Sequence, residues 1–210
     1  MNNSVGNTAR LLWAGLRALL VLTLVCGVLY PLAVTGVAQV AFSDKANGSE
    51  VADGTGTVVG SSLIGQGYGD DPRWFQPRPA AGLGQNTINA QYALLISGAS
   101  NKAADNPDLV KAVREAQRKI VADNTVPGFT PEIARIPADA VTSSGSGLDP
   151  HISPAYAALQ VPRIAERNHL PVTRVEKLVA AHTEGRTLGF MGEPRVNVLE
   201  LNVALKSLTG

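Results

Sequence analysis

Apolar residues are distributed unevenly along the chain, as one long unbroken block near the start and then short groups at helical or alternating spacing. Residues 18–43 contain no Asp, Glu, Lys or Arg and are mostly Leu, Val, Ala and Gly. At about 1.5 Å per residue, a helix of that length exceeds a hydrocarbon core of roughly 30 Å, so the block predicts a membrane span. We set the span at residues 13–43, between a tail at 1–12 and a domain at 44–210. Pro31, near the middle, lacks a backbone donor and predicts a kink. Gly27 and Gly36 leave shallow places, so Gly27, Pro31 and Gly36 mark a surface for packing against other helices. A signal peptide cleaved near residues 36–38 is the competing reading, and the length of the block counts against it.

Beyond the span, Thr57-Val58-Val59 and Leu63-Ile64 predict two short strands around Gly60. The GTGTVVG sequence at 54–60 has glycines near nucleotide-loop spacing, but they precede a strand, so a glycine turn is the better reading. Pro77 and Pro79 exclude regular helix after Trp74 and Phe75, which either face a surface or plug the edge of the core. Asn106-Pro107-Asp108 reads as a cap, a first-turn proline and a first-turn acid. Leu109, Ala112, Val113, Ala116 and Ile120 follow at helical spacing, opposite a charged face of Lys111, Arg114, Glu115, Arg118 and Lys119. Ser153-Pro154 repeats the start signal, and Pro162 predicts two short helices meeting at Val161. A further helix is predicted over 172–182. Asn197 with Glu200 fits a capping box ahead of Val198, Leu201, Leu205 and Leu208, which predicts a closing helix. The resulting fold class is α+β: one N-terminal transmembrane helix followed by a single mixed α/β extracytoplasmic domain.

Charge supplies the orientation. Arg10 and Arg17 precede the span, whereas Asp44, Lys45 and Glu50 follow it, which predicts a cytoplasmic N-terminus and an outer domain. Past residue 43 lie 16 of the 18 Lys and Arg and all 17 Asp and Glu, a net charge of −1 that argues against a nucleic-acid partner. The single cysteine, Cys26, lies in the apolar block, so the outer domain has no thiol chemistry and the chain no internal disulfide. Aromatic residues make up 5%, so the core should be built mainly from Val, Leu, Ile and Ala.

Candidate chemistry concentrates in residues 141–165. A membrane-anchored exported serine hydrolase would take Ser144 or Ser146 as nucleophile, His151 as base and Asp139 or Asp149 as its orienter. The stretch has no GxSxG elbow, and three triad members within a dozen positions make poor geometry, so no catalytic residue is assigned. The histidines His151, His169 and His182 lack metal-site spacing, and no metal ligand is assigned; His182 reads as a helix C-cap. The chain also lacks GxxxxGK[ST] and the DKTG phosphorylation sequence, so it carries no ATP-hydrolysing machinery of its own.

Six blocks in order carry a resemblance: YPLAVTG at 30–36, GSSLIGQ at 60–66, FQPRP at 75–79, DAVTSSGSGLDPHISP at 139–154, HTEGR at 182–186 and GEPRVNVLELN at 192–202. Together they resemble the KdpC family, the C subunit of the bacterial potassium-transporting Kdp ATPase. The resemblance implies a single-pass plasma-membrane protein. Its implied partners are a channel-like potassium-translocating subunit, a P-type ATPase subunit and a small single-span subunit. It also implies a role in assembly and as a catalytic chaperone raising the ATP affinity of the ATPase subunit. ATP and potassium act in the complex, and no cofactor is assigned to this chain itself. Family analogy places nucleotide contact at Ser97, Gly98, Ser100 and Asn101, although Ala99 stands where relatives tend to carry glycine and restricts positive φ there. Cytosolic ATP does not reach an outer domain, so the preferred expectation is coupling at a distance through the membrane helix. The loop bearing Ser144, Ser146, Asp149 and His151 is then expected to be structural and to dock on a partner.

Overall fold

The computed structural model describes residues 3–69, 71–79 and 97–209. The chain divides into two units, Met1–Ser49 and Glu50–Gly210, each considered by itself.

The first unit is helical. Helix α1 (Asn3–Leu24) passes through a π-helical turn (Val25–Leu29) into α2 (Tyr30–Ala41), and a short α3 (Ser43–Ala46) follows. Ser4–Ala41 is long and apolar enough to cross a membrane, and none of it is buried within the chain. The perturbation expected at Pro31 takes the form of the π turn: the Tyr30 N–H donates to Val25 O, five residues back. Residues 3–12, assigned above to a tail, are helical; a helix already nucleated by the apolar block extends at little cost. Space around Gly36 is open, and a Cβ at Gly27 would meet only Thr23 Cγ2, at 3.8 Å. After α2 the Gln39 side-chain amide donates to Asn47 Oδ1 at 3.1 Å.

The second unit opens with an antiparallel hairpin of β1 (Glu50–Ala52) and β2 (Val58–Ser61), with Val51 opposite Gly60. The glycine turn between them is organised by Asp53, whose carboxylate accepts from Thr55 N (3.0 Å), Thr55 Oγ1 (2.6 Å) and Thr57 N (3.2 Å). Lys206 Nζ approaches the same carboxylate at 3.1 Å. The strand expected at Leu63-Ile64 is absent. Instead Ser61 closes a turn there, its Oγ accepting from Leu63 N and its carbonyl from Ile64 N, and the true partner of β2 lies upstream.

Helices α4 (Pro107–Asn124), α6 (Pro154–Arg167), α7 (Val172–Ala181) and α8 (Val198–Thr209) accompany a small antiparallel sheet, against which α6 and α8 pack. In it β5 (Arg195–Asn197) lies between β3 (His151–Ile152) and β4 (Thr183–Glu184). A one-turn helix, α5 (Ala138–Val141), precedes the serine-rich loop. The expected caps form: Asn106 accepts from Asp108 N, Ser153 from Tyr156 N, and Asn197 from Leu199 and Glu200 N–H groups. The buried core is mostly aliphatic (Ile152, Val161, Ile164, Val175, Val196, Leu201, Leu205), with Phe75 and Tyr156 among it. Phe75 is 0% exposed and Trp74, partly buried, packs against the core, so the pair faces inward at its edge.

The two short helices expected at Val161 are one. Helix α6 runs through Pro162 because Val161, Ile164 and Ala165 on both sides of it are buried, and that packing outweighs one missing backbone bond.

Residues 72–76 form an irregular strap that opens in a turn and has no ladder of its own. Its backbone is bonded by side chains of two helices, α6 and α8. Asn202 bonds both the N–H and the C=O of Phe75, at 2.9 Å each. Gln160 accepts from Gln76 N at 2.7 Å and donates to Gln76 O at 3.1 Å. Arg163 donates to Pro72 O and Trp74 O. Its Nε donates to Asn124 Oδ1 at 2.9 Å, which brings in α4.

Candidate functional site

The serine-rich loop between α5 and β3 is shaped mainly by its own side chains. Ser144, buried, accepts from Gly147 N at 2.9 Å, and Ser146 Oγ accepts from Leu148 N at 3.1 Å, with the two hydroxyls 3.2 Å apart. Gly147 turns the chain at φ 69°, where a side chain would be strained. Asp149 Oδ1 then accepts from His151 N (3.0 Å) and lies 3.3 Å from His151 Nδ1. The far end is fixed by Asp139, which takes the N–H (2.6 Å) and hydroxyl (2.9 Å) of Ser153.

Three distant segments meet this loop. Arg78 spans its two ends, reaching Asp149 Oδ2 at 3.2 Å and the carbonyls of Thr142 and Ser143 at 3.4 Å. Gly65 N donates to Leu148 O at 2.8 Å, and a Cβ at Gly65 would lie 2.7 Å from Asp149 O, closer than side chains approach. Ser146 O accepts from Gly98 N at 2.8 Å and from Ser97 Oγ at 3.2 Å.

The structure therefore brings together Ser144, Ser146, Asp149 and His151 with Ser97 and Gly98. Ser100 and Asn101 are exposed, and the positive φ in this segment falls on Asn101 (51°), a residue type that tolerates it, with Ala99 spared. Gly27, Pro31 and Gly36 lie in the other unit. Arg78 and Gly65 are the residues that sequence reasoning left without roles. Each sits inside a quoted block, and an Arg between two prolines was the available signal.

Chemically the arrangement is a brace. The Asp149–His151 pair is present, but the Ser144 and Ser146 hydroxyls are engaged with backbone N–H groups and each other, and Asp139 is spent on Ser153. The cleft bounded by Gly65, Arg78, Ser144 and Asp149 has a volume of about 20 Å³ among the described residues, room for one water. A small-molecule site needs roughly 300 Å³ or more. His182, expected as a cap, ends α7 with its N–H and Nδ1 both within hydrogen-bond reach of Leu178 O, the latter at 2.9 Å.

Comparison with known proteins covers both units. Residues 12–207 match a family described as KdpC: K+-transporting ATPase, c chain. The potassium-transporting ATPase KdpC subunit of Streptomyces avermitilis is 64% identical over 220 aligned residues, covering 99% of this chain and 98% of that protein. The subunit of the same name from Streptomyces coelicolor is 60% identical, covering 99% and 97%. That of Geobacter sulfurreducens is 45% identical over 190 residues, covering 90% of this chain and 94% of its own.

Proposed function

The chain belongs to the KdpC family, the c chain of potassium-transporting ATPases, and from that premise we propose that it is an accessory, non-catalytic subunit of such a pump. One observation carries the reading: a single match runs from residue 12 to 207, so the apolar helix and the domain after it belong to one family. The brace geometry agrees with it, because the Ser144 and Ser146 hydroxyls both support backbone N–H groups of the loop.

In this reading helix Ser4–Ala41 crosses the plasma membrane with its N-terminus in the cytoplasm. Trp13 and Phe42, both exposed, stand about 44 Å apart along a helix, the thickness of a bilayer with its headgroup layers. Trp favours such a boundary, which suits Trp13. Cysteines placed at Ser4 and Lys206, with Cys26 replaced, test the orientation with an impermeant thiol reagent on intact cells. Labelling at 206 alone is expected, and labelling at 4 alone reverses the topology.

The partners are a channel-like potassium-translocating subunit, a P-type ATPase subunit and a small single-span subunit. The chain stabilises their assembly and raises the ATP affinity of the ATPase subunit through the membrane helix, as a coupling free energy between distant sites. Direct nucleotide contact at Ser97, Gly98, Ser100 and Asn101 is the competing route, and Ser97 and Gly98 are already bonded to Ser146 O. Purification in mild detergent should yield this chain together with a large potassium-stimulated ATPase, whereas isolation as a free protein overturns the proposal. In the purified complex, Ala at Ser97, Ser100 and Asn101 should leave the KM for ATP unchanged; a raised KM favours direct contact. The loop's docking role predicts that Ala at Ser146, Asp149 or His151 impairs assembly or potassium uptake, and wild-type uptake in all three removes that role.

A further inference from the structure

Between β4 and β5 the chain doubles back into a tight arm. Thr187 and Met191 exchange backbone hydrogen bonds at 2.9 and 3.0 Å, and Gly189 N donates to Arg186 O at 3.0 Å. Gly189 and Gly192 hold positive φ, which glycine adopts freely. Leu188 also holds positive φ, 54°, where a residue with a Cβ is strained and where glycine or asparagine is the usual occupant. Its side chain is 79% exposed, beside Phe190 at 70% and Met191 at 45%. Leu188 is thus unfavourable twice over, in its backbone and in the apolar surface it leaves in water, and nothing among the described residues offsets either effect.

At the base of the arm the charges are matched. Arg186 reaches both carboxylate oxygens of Glu193, at 3.0 and 2.8 Å, and Arg195 pairs with Glu184 at 2.9 Å. Residues that dip into an anionic lipid surface are normally accompanied by a cationic surplus, and this arm has none. An apolar tip with a neutral collar instead complements an apolar protein pocket with no net charge of its own. The turn is also already set, so little conformational freedom is lost on seating.

We infer that Leu188, Phe190 and Met191 form a plug that seats in an uncharged apolar pocket of a neighbouring protein subunit. The inference rests on the reading of this chain as a pump subunit. A photoreactive phenylalanine analogue at position 190 of the full, detergent-purified complex should form an adduct with a peptide of another subunit. Leu188→Gly removes both the strain and the apolar contact. In the full chain alone its thermal midpoint should equal or exceed that of wild type, while retention in the washed complex falls by about tenfold or more, as for a central interface anchor. Phe190→Ser should reduce retention similarly at an unchanged midpoint. Adducts to lipid alone, or both variants retained like wild type, overturn the plug and leave the subunit reading intact. A wild-type chain that does not co-purify with the ATPase removes both.

Discussion

Arg163 is 1% exposed, and its hydrogen-bond partners among the described residues are neutral: the carbonyls of Pro72 and Trp74, Asn124 Oδ1 and Gln160 Oε1. Burial lowers its pKa to about 10, still far enough above neutrality for it to remain a cation. Arg163→Ala leaves several buried acceptors without donors, so the full chain should lose about 3 kcal/mol or more in denaturant unfolding. Arg163→Lys should lose less, because an ammonium restores part of the set. Acid acts through other groups. Hydrogen bonds from Arg73 hold Asp71 at about 2, and bonds from Thr55 first and then Lys206 hold Asp53 well below the usual carboxylate range. Both values lie below the ordinary 3.8, so the stability these groups contribute is present above pH 4 and is lost as pH falls toward 2. The thermal midpoint measured from pH 5 to pH 2 should therefore drop, and Asp53→Asn should flatten part of that drop. Neither Arg163 nor Gln160 was legible beforehand. A polar residue on an apolar stripe reads as a solvated edge until the strap it bonds, nearly ninety residues away, is in place.

At the scale of elements, what was local was readable. The caps at Asn106, Ser153 and Asn197 each rest on side chains bonding N–H groups two or three positions on, and all three were read correctly. Strand β4 has two residues and exists only through pairing with β5, so no local pattern announces it. Pro162 misled for the opposite reason: its local rule is strong, yet burial on both sides overrides it. Ala in its place should restore the bond to residue 158 and raise the stability of the full chain by on the order of 1 kcal/mol, read from the midpoint of urea unfolding. An unchanged or lower midpoint would mean that the ring itself packs usefully. In the candidate site the loop residues were legible as a cluster. The partners Arg78 and Gly65 were not, since they arrive from 71 and 84 positions away in the chain.

At the scale of the molecule, a mostly aliphatic core, a small sheet and one helix long enough for a membrane agree with the composition and the apolar block. The strap at 72–76 carries this agreement into a measurable quantity. The Phe75 N–H is held by Asn202 of α8 and the Gln76 N–H by Gln160 of α6, at 2.9 and 2.7 Å. These protons belong to no helix or strand, and connecting segments ordinarily trade hydrogen for deuterium quickly. Here neither can open without separating side chains rooted in the packed interior, so both should exchange as slowly as the middle of α6, through whole-domain unfolding. Two loop amides thus become reporters of global stability.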